Sequence, residues 1–107
     1  QAKQYPALLR QLDAVAAGGS RPDAARAQTM RGDIQLAQNN VELAALDYLR
    51  TAILFADIRD AAILGEATYK AAAALEQLKD PRAKELFKKV ATEYGASPYA
   101  AQARGKM

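Results

Sequence analysis

Five positions of this chain return 39 residues later: Gly32, Ala44, Tyr48, Thr51 and Ala56 have counterparts at Ala71, Ala83, Phe87, Val90 and Gly95. Arg31-Gly32 recurs once more as Arg104-Gly105. A unit this short cannot bury its apolar face alone and has to stack on a neighbour of its own kind. The residue types say how. A small residue at Gly32 and Ala71 lets the first helix of a hairpin touch its partner closely. Ala44 and Ala83 sit where the second helix approaches the first. Tyr48 and Phe87, four residues further on, share that face and fill the gap between hairpins.

Composition supports helices packed through small side chains. Of 107 residues, 26 are Ala, about half of the apolar share. Ala is the best helix former and permits close helix approach. β-branched residues are sparse, and no run alternates apolar with polar as a half-buried strand does. The length suggests one domain with a small core.

Punctuation along the chain predicts five to six helices. The first is expected from Gln1 to Ala17, with Pro6 in its first turn and Tyr5, Leu8, Leu9, Leu12, Val15 and Ala16 on one stripe. Gly18-Gly19 ends it. Ser20-Arg21-Pro22-Asp23 opens the second with a hydroxyl cap, a proline just inside and an acidic residue three places on. That helix runs to about Gln38, where Asn39-Asn40 turns the chain. The third is expected from Val41 to Ala56. Asp57 is the expected cap of the fourth, whose buried stripe reads Ile58, Ala61, Ala62, Gly65, Tyr69, Ala72 and Leu75, ending near Lys79. Asp80-Pro81 opens the fifth, which carries Ala83, Leu86, Phe87, Val90 and Tyr94 and stops at Gly95. Ser97-Pro98 opens a sixth segment, Tyr99 to Met107. The units are thus a leading helix (1–19), a first hairpin (20–56), a second (57–95) and a partial third or capping helix (96–107).

Chemistry is thinly provided. The chain has no Cys and no His, which removes thiolate ligands and nucleophiles together with the commonest general base and metal ligand. No apolar stretch approaches the length of a membrane span. Of the carboxylates, Asp23, Asp57 and Asp80 are explained by helix starts, and Glu85 with Lys89 by an ordinary surface pair. No catalytic residue, metal site or cofactor is expected. Arg31-Gly32-Asp33 spells an adhesion tripeptide, but it falls mid-helix whereas adhesion needs an exposed loop. Gly18-Gly19 lacks the spacing of a phosphate loop. From Lys79 to Met107 there are seven Lys/Arg against three Asp/Glu, an excess of +4 within a net charge of +3. Lys79, Arg82, Lys84, Lys88 and Lys89 could meet phosphate, yet they lack the density and interleaved aromatics of nucleic-acid binders, so nucleic acid is disfavoured.

At its repeated positions the chain resembles the tetratricopeptide repeat family, whose units of about 34 residues carry a small residue in the first helix, then Ala, then an aromatic. The stretch Ala83 to Val90, followed by Glu93-Tyr94-Gly95, Ser97 and Ala100, is similar to the variant found in bacterial cell-envelope assembly proteins. The resemblance covers roughly residues 25 to 107. There are departures. Gln28 stands where an aromatic is usual, Ala56 and Gly95 where a proline closes the unit, and the turn at Lys79-Asp80-Pro81 reads one residue short, leaving the phase of Tyr69 to Gln77 open by one.

The resemblance implies an all-α, right-handed superhelix of stacked antiparallel hairpins that binds another protein or peptide on a concave surface without catalysis. Projected onto this chain, the groove-facing residues are Arg26, Thr29, Asp33 and Leu36, then Thr68, Tyr69, Ala72 and Glu76, then Tyr99, Gln102 and Lys106. Thr29 and Asp33 occupy two places where some of the family clamp a terminal carboxylate with Lys and Asn, so that clamp is not expected. Location leans to the bacterial envelope on the resemblance alone. A homo-oligomeric spacer module is the alternative reading.

Overall fold

The computed structural model describes residues 5–107, without the side chain of Ala16. The expected start of the first helix at Gln1 and the place of Ala16 on its stripe lie outside the described residues. Six α-helices follow one another: α1 (Tyr5–Gly18), α2 (Arg21–Ala37), α3 (Val41–Leu54), α4 (Ala61–Gln77), α5 (Arg82–Glu93) and α6 (Ala100–Gly105), with a short 3-10 turn, Ala56–Ile58, between α3 and α4. No strand occurs among the described residues. Each helix packs on its sequence neighbours, as short connections dictate, and α2 also touches α4.

Local chemistry places the helix starts. Ser20 caps α2 by accepting the Asp23 amide at 3.2 Å, which satisfies one of the unpaired N–H groups of the first turn. The two hairpin turns are copies of each other. Asn39 and Lys79 adopt left-handed φ values of 65° and 58°. The following amides then reach back, Asn40 to the Gln35 carbonyl at 2.8 Å and Asp80 to that of Leu75 at 2.9 Å. These bonds recur 40 residues apart, from 35 to 75 and from 40 to 80. Ala44 follows Asn39 by five residues, whereas Ala83 follows Lys79 by four. One residue fewer therefore separates the turn from the repeated Ala in the second hairpin, the first helices repeat at 40, and the counterpart of Gly32 is Ala72 rather than Ala71.

The fourth helix begins later than expected. Asp60, not Asp57, caps α4, accepting the Ile63 amide at 3.1 Å. Asp57 is instead ion-paired to Arg21. The same guanidinium donates to the Leu54 carbonyl at 2.8 Å and lies 4.6 Å from the Phe55 ring centre. Arg21 so ties the end of α3 to the start of α2, and α3 stops at Leu54 rather than Ala56. The buried stripe of α4 keeps Gly65, Ala72 and Leu75 as expected, with Tyr69 half-buried, and differs elsewhere. Ala62 is exposed and Ile58 and Ala61 half-buried, while Ile63, Leu64, Ala67, Ala71 and Ala74 are enclosed. The stripe of α1 is only partly covered: Tyr5, Leu9 and Leu12 are half-buried, Leu8 and Val15 exposed.

The core lies along α2 to α5 and is lined by the repeated positions except Ala56 and Gly95, which are exposed. Ala44, Tyr48 and Thr51 are buried in α3, and Ala83, Phe87 and Val90 in α5. A Cβ added to Gly32 would lie 2.5 Å from the Tyr48 ring, so the two helices approach as closely as that residue allows. Tyr48 then packs with Ala44 of its own helix and Ala71 of the next hairpin. Phe87 shares a cluster with Ala72, Leu75 and Ala83. Burying side chains such as Phe87 and Leu64 contributes roughly 1.5–3 kcal/mol apiece.

Gly32→Ala is expected to destabilise. The helix-propensity gain of about 1 kcal/mol is outweighed by displacing the enclosed Tyr48 ring, with a net loss of about 1–3 kcal/mol in urea unfolding. Gly18→Ala, with nothing within 4 Å of the added carbon, should be neutral or slightly stabilising.

Candidate functional site

The first helices of the hairpins, α2 and α4, and the short α6 meet through polar and aromatic side chains along one surface. The Tyr48 hydroxyl, reaching through from α3, donates to Asp33 at 2.6 Å. Lys70 of α4 donates to the same carboxylate at 3.0 Å and to Glu66 at 2.8 Å. The rings of Tyr69 and Tyr99 lie 5.0 Å apart, and Tyr69 meets Phe87 edge-on at 5.4 Å. Lys106, at the C-terminal cap of α6, pairs with Glu76 of α4 at 3.0 Å. Four of the expected groove residues of the second hairpin and the partial third thus come together as Tyr69–Tyr99 and Glu76–Lys106, and Asp33 joins α2 to α4.

Other expected positions behave differently. Arg26, Leu36 and Gln102 are exposed, with Arg26 bonded to Asp23. Thr29, Thr68 and Ala72 are enclosed and cannot meet a partner in a groove. The Thr29 hydroxyl donates to the Ala25 carbonyl and meets the Thr51 hydroxyl at 3.1 Å across the α2–α3 contact. Ala72 occupies the close-packing place of the second hairpin, as the 40-residue phase requires. Thr68 lies within the core with its hydroxyl unpaired. The residues that link the helices but escaped sequence reasoning are Lys70, Glu66 and the Tyr48 hydroxyl. Only the four-residue spacing of Glu66 and Lys70 signals any of them.

A second polar cluster is internal. Asp47, 3% exposed, accepts from Gln28 at 3.0 Å and from Arg50 at 3.3 Å, and Arg31 stands at 3.5 Å. Arg31 also pairs with Asp13 and so fastens α1 to the hairpin. Gln28, which replaces an aromatic in the resemblance, serves this buried carboxylate, because a charge taken out of water needs several partners.

One surface was not anticipated at all. The outer face of α3 exposes Leu43 (49%), Leu46 (50%), Ile53 (70%) and Leu54 (61%). Beside it lies a cavity of about 450 Å³ lined by Leu46, Leu49, Leu75 and Leu78 together with Glu42, Asp80 and Arg82. Among the described residues, no group of three or more acidic residues gathers as a metal site, and no helix is long and apolar enough to cross a membrane.

No protein-family model matches the chain, and no curated protein or solved structure is significantly similar to it.

Burial, the hydrogen bond to Asp33 and nearby carboxylates all push the Tyr48 hydroxyl well above its ordinary pKa of 10.0. Burial alone would lower Lys70, but its bonds to Glu66 and Asp33 outweigh that and hold the ammonium above 10.5. Folding therefore retains protons that the unfolded chain gives up in alkali, so this stability is whole below pH 10 and falls as pH rises past it. Tyr48→Phe should cost about 1 kcal/mol near neutrality and flatten the alkaline decline, measured as urea midpoints between pH 8 and pH 11.

Proposed function

We propose that this chain is a non-catalytic scaffold that holds another protein or peptide along the face formed by α2, α4 and α6, with its hairpins curving as a right-handed superhelix of tetratricopeptide type. The observation that carries the reading is the repeated hairpin itself. Two helix pairs share one turn geometry and one set of buried small and aromatic positions. Arrays of this kind present side chains of successive first helices as a rigid, preformed surface, which reduces the ordering cost of binding.

The face is mixed in chemistry. Exposed Arg26, Glu76, Gln102 and Lys106 alternate with Leu36 and the half-buried Tyr69 and Tyr99. Such a surface suits a helix or extended segment that inserts apolar side chains between polar contacts. Asp33 is negative and already bonded to Lys70, and Thr29 is enclosed. A peptide's terminal carboxylate is therefore not the group recognised. Binding makes and breaks no covalent bond in this reading.

The test is affinity capture from an extract of the source cell, with the chain immobilised and compared with Leu36→Glu/Gln102→Glu. Both positions are exposed, so helical circular dichroism should not change. The native chain should enrich a protein that the variant retains about tenfold less, a loss near 1.4 kcal/mol. Equal retention by both would remove the face from the proposal.

A further inference from the structure

We propose that the outer face of α3 docks on the same face of a second copy of this chain, the two helices antiparallel and in register at Leu46. This surface shares no residue with the α2–α4–α6 face, so it stands independently of the function proposed above.

Leu43, Leu46 and Ile53 recur at intervals of three and seven and share one helical face, with Leu54 at its edge. All four are about half exposed or more, whereas the opposite side of α3 is sealed by Ala44, Ala45, Tyr48, Thr51 and Ala52. The helix is therefore apolar on both sides, and only one of them has a neighbour. Contiguous apolar surface of this kind on a soluble domain marks a contact that the isolated chain leaves unmade.

Charge selects the occupant. The face carries one acidic and one basic side chain, Glu42 and Arg50, each four residues from Leu46 and on opposite sides of it. Glu42 makes no ion pair among the described residues. Arg50 donates to Asp47 through one guanidinium nitrogen, at 3.3 Å, and its side chain is 56% exposed, so donors remain on its outer side for a second carboxylate. A two-fold axis is satisfied when residue i meets residue j and j meets i. With Leu46 on the axis, Glu42 lies level with Arg50 of the second copy, and Arg50 with its Glu42. The same operation brings Leu46 to Leu46. A parallel pairing sets like charges side by side and is disfavoured. One helix thus carries both halves of a self-complementary pattern, and the cavity flanking Leu46 offers room for apolar side chains of the second copy.

The experiment is sedimentation equilibrium of the 107-residue chain across a concentration series, with variants that leave the fold alone. The native chain should populate a dimer. Leu46→Glu should weaken it about tenfold or more, the loss expected of a central apolar contact, with unchanged thermal unfolding at high dilution. Glu42→Arg should also weaken it, since two cations then meet at each end of the contact. Because the chain has no cysteine, Leu46→Cys gives a direct reading of register: the two sulfurs meet at the axis and oxidise readily to a linked dimer, and Leu54→Cys links far more slowly. A monomer at every concentration, as when this face belongs to a different protein, overturns the proposal. So does a dimer indifferent to Leu46→Glu, or one that cross-links equally at both positions.

Discussion

The closeness of α2 to α3 at Gly32 governs the rest of this molecule. The Tyr48 ring stands where a Cβ on residue 32 would be, and a glycine is the only residue that leaves it the room. Having passed that point, the ring packs against Ala71 in the next hairpin. One side chain therefore closes its own hairpin and fastens the following one. Its hydroxyl emerges beside Asp33, whose charge in turn holds Lys70 of α4. A steric choice at one backbone position thus brings a polar link between hairpins with it, because a buried hydroxyl and a half-buried carboxylate both need partners.

Packing through alanine has a consequence for where the bulk goes. Small side chains bring helix axes together but bury little apolar area per residue, so the few large residues have to be placed well. Leu64, Leu75, Phe87 and Val90 concentrate in α4 and α5 and are fully enclosed. The α2–α3 contact instead holds polar groups: the Thr29–Thr51 pair and the Gln28–Asp47 pair occupy positions that a larger core would fill with hydrocarbon. The two hairpins are alike in backbone and unlike in how their interiors are satisfied.

Much of the fold was legible in the chain because its punctuation is local. The Ser20 cap, the Asn39-Asn40 turn and the Asp80-Pro81 start each depend on residues within about one helical turn. Asp57 and Asp60 could not be told apart on that scale. Both precede an apolar run, and what decides between them is Arg21, 36 residues away, which takes Asp57 for itself. The expected groove positions were less legible than the fold. A one-residue difference between the turn and the repeated Ala after it rotates the preceding helix's assigned face by about 100°, enough to exchange a groove position for a core one. Thr68 and Ala72 fell to that rotation, and Thr29 to its bond with Thr51. Lys70 and the Tyr48 hydroxyl were out of reach, since their meeting at Asp33 joins residues 37 and 15 positions apart. The α3 face was written plainly in the spacing of Leu43, Leu46 and Ile53. It went unread because a helix apolar on all sides looks buried until its neighbours are known.

The two surfaces differ in what a partner would have to overcome. On the α2–α4–α6 face most charges are already matched, Lys70 with Asp33 and Glu66, and Lys106 with Glu76. An incoming segment exchanges existing pairs for new ones, so its charges contribute discrimination more than affinity. The α3 face holds exposed hydrocarbon between two sparsely engaged charges, and covering it gains burial with little to displace. A pair of chains joined there would carry two α2–α4–α6 faces on one body. A partner with two matching segments would then meet the second at a high effective concentration. In the proposed reading, weak, selective contacts on the charged face and a stable contact on the apolar one are then parts of a single device, in which assembly of the proposed scaffold sets how firmly it holds a partner.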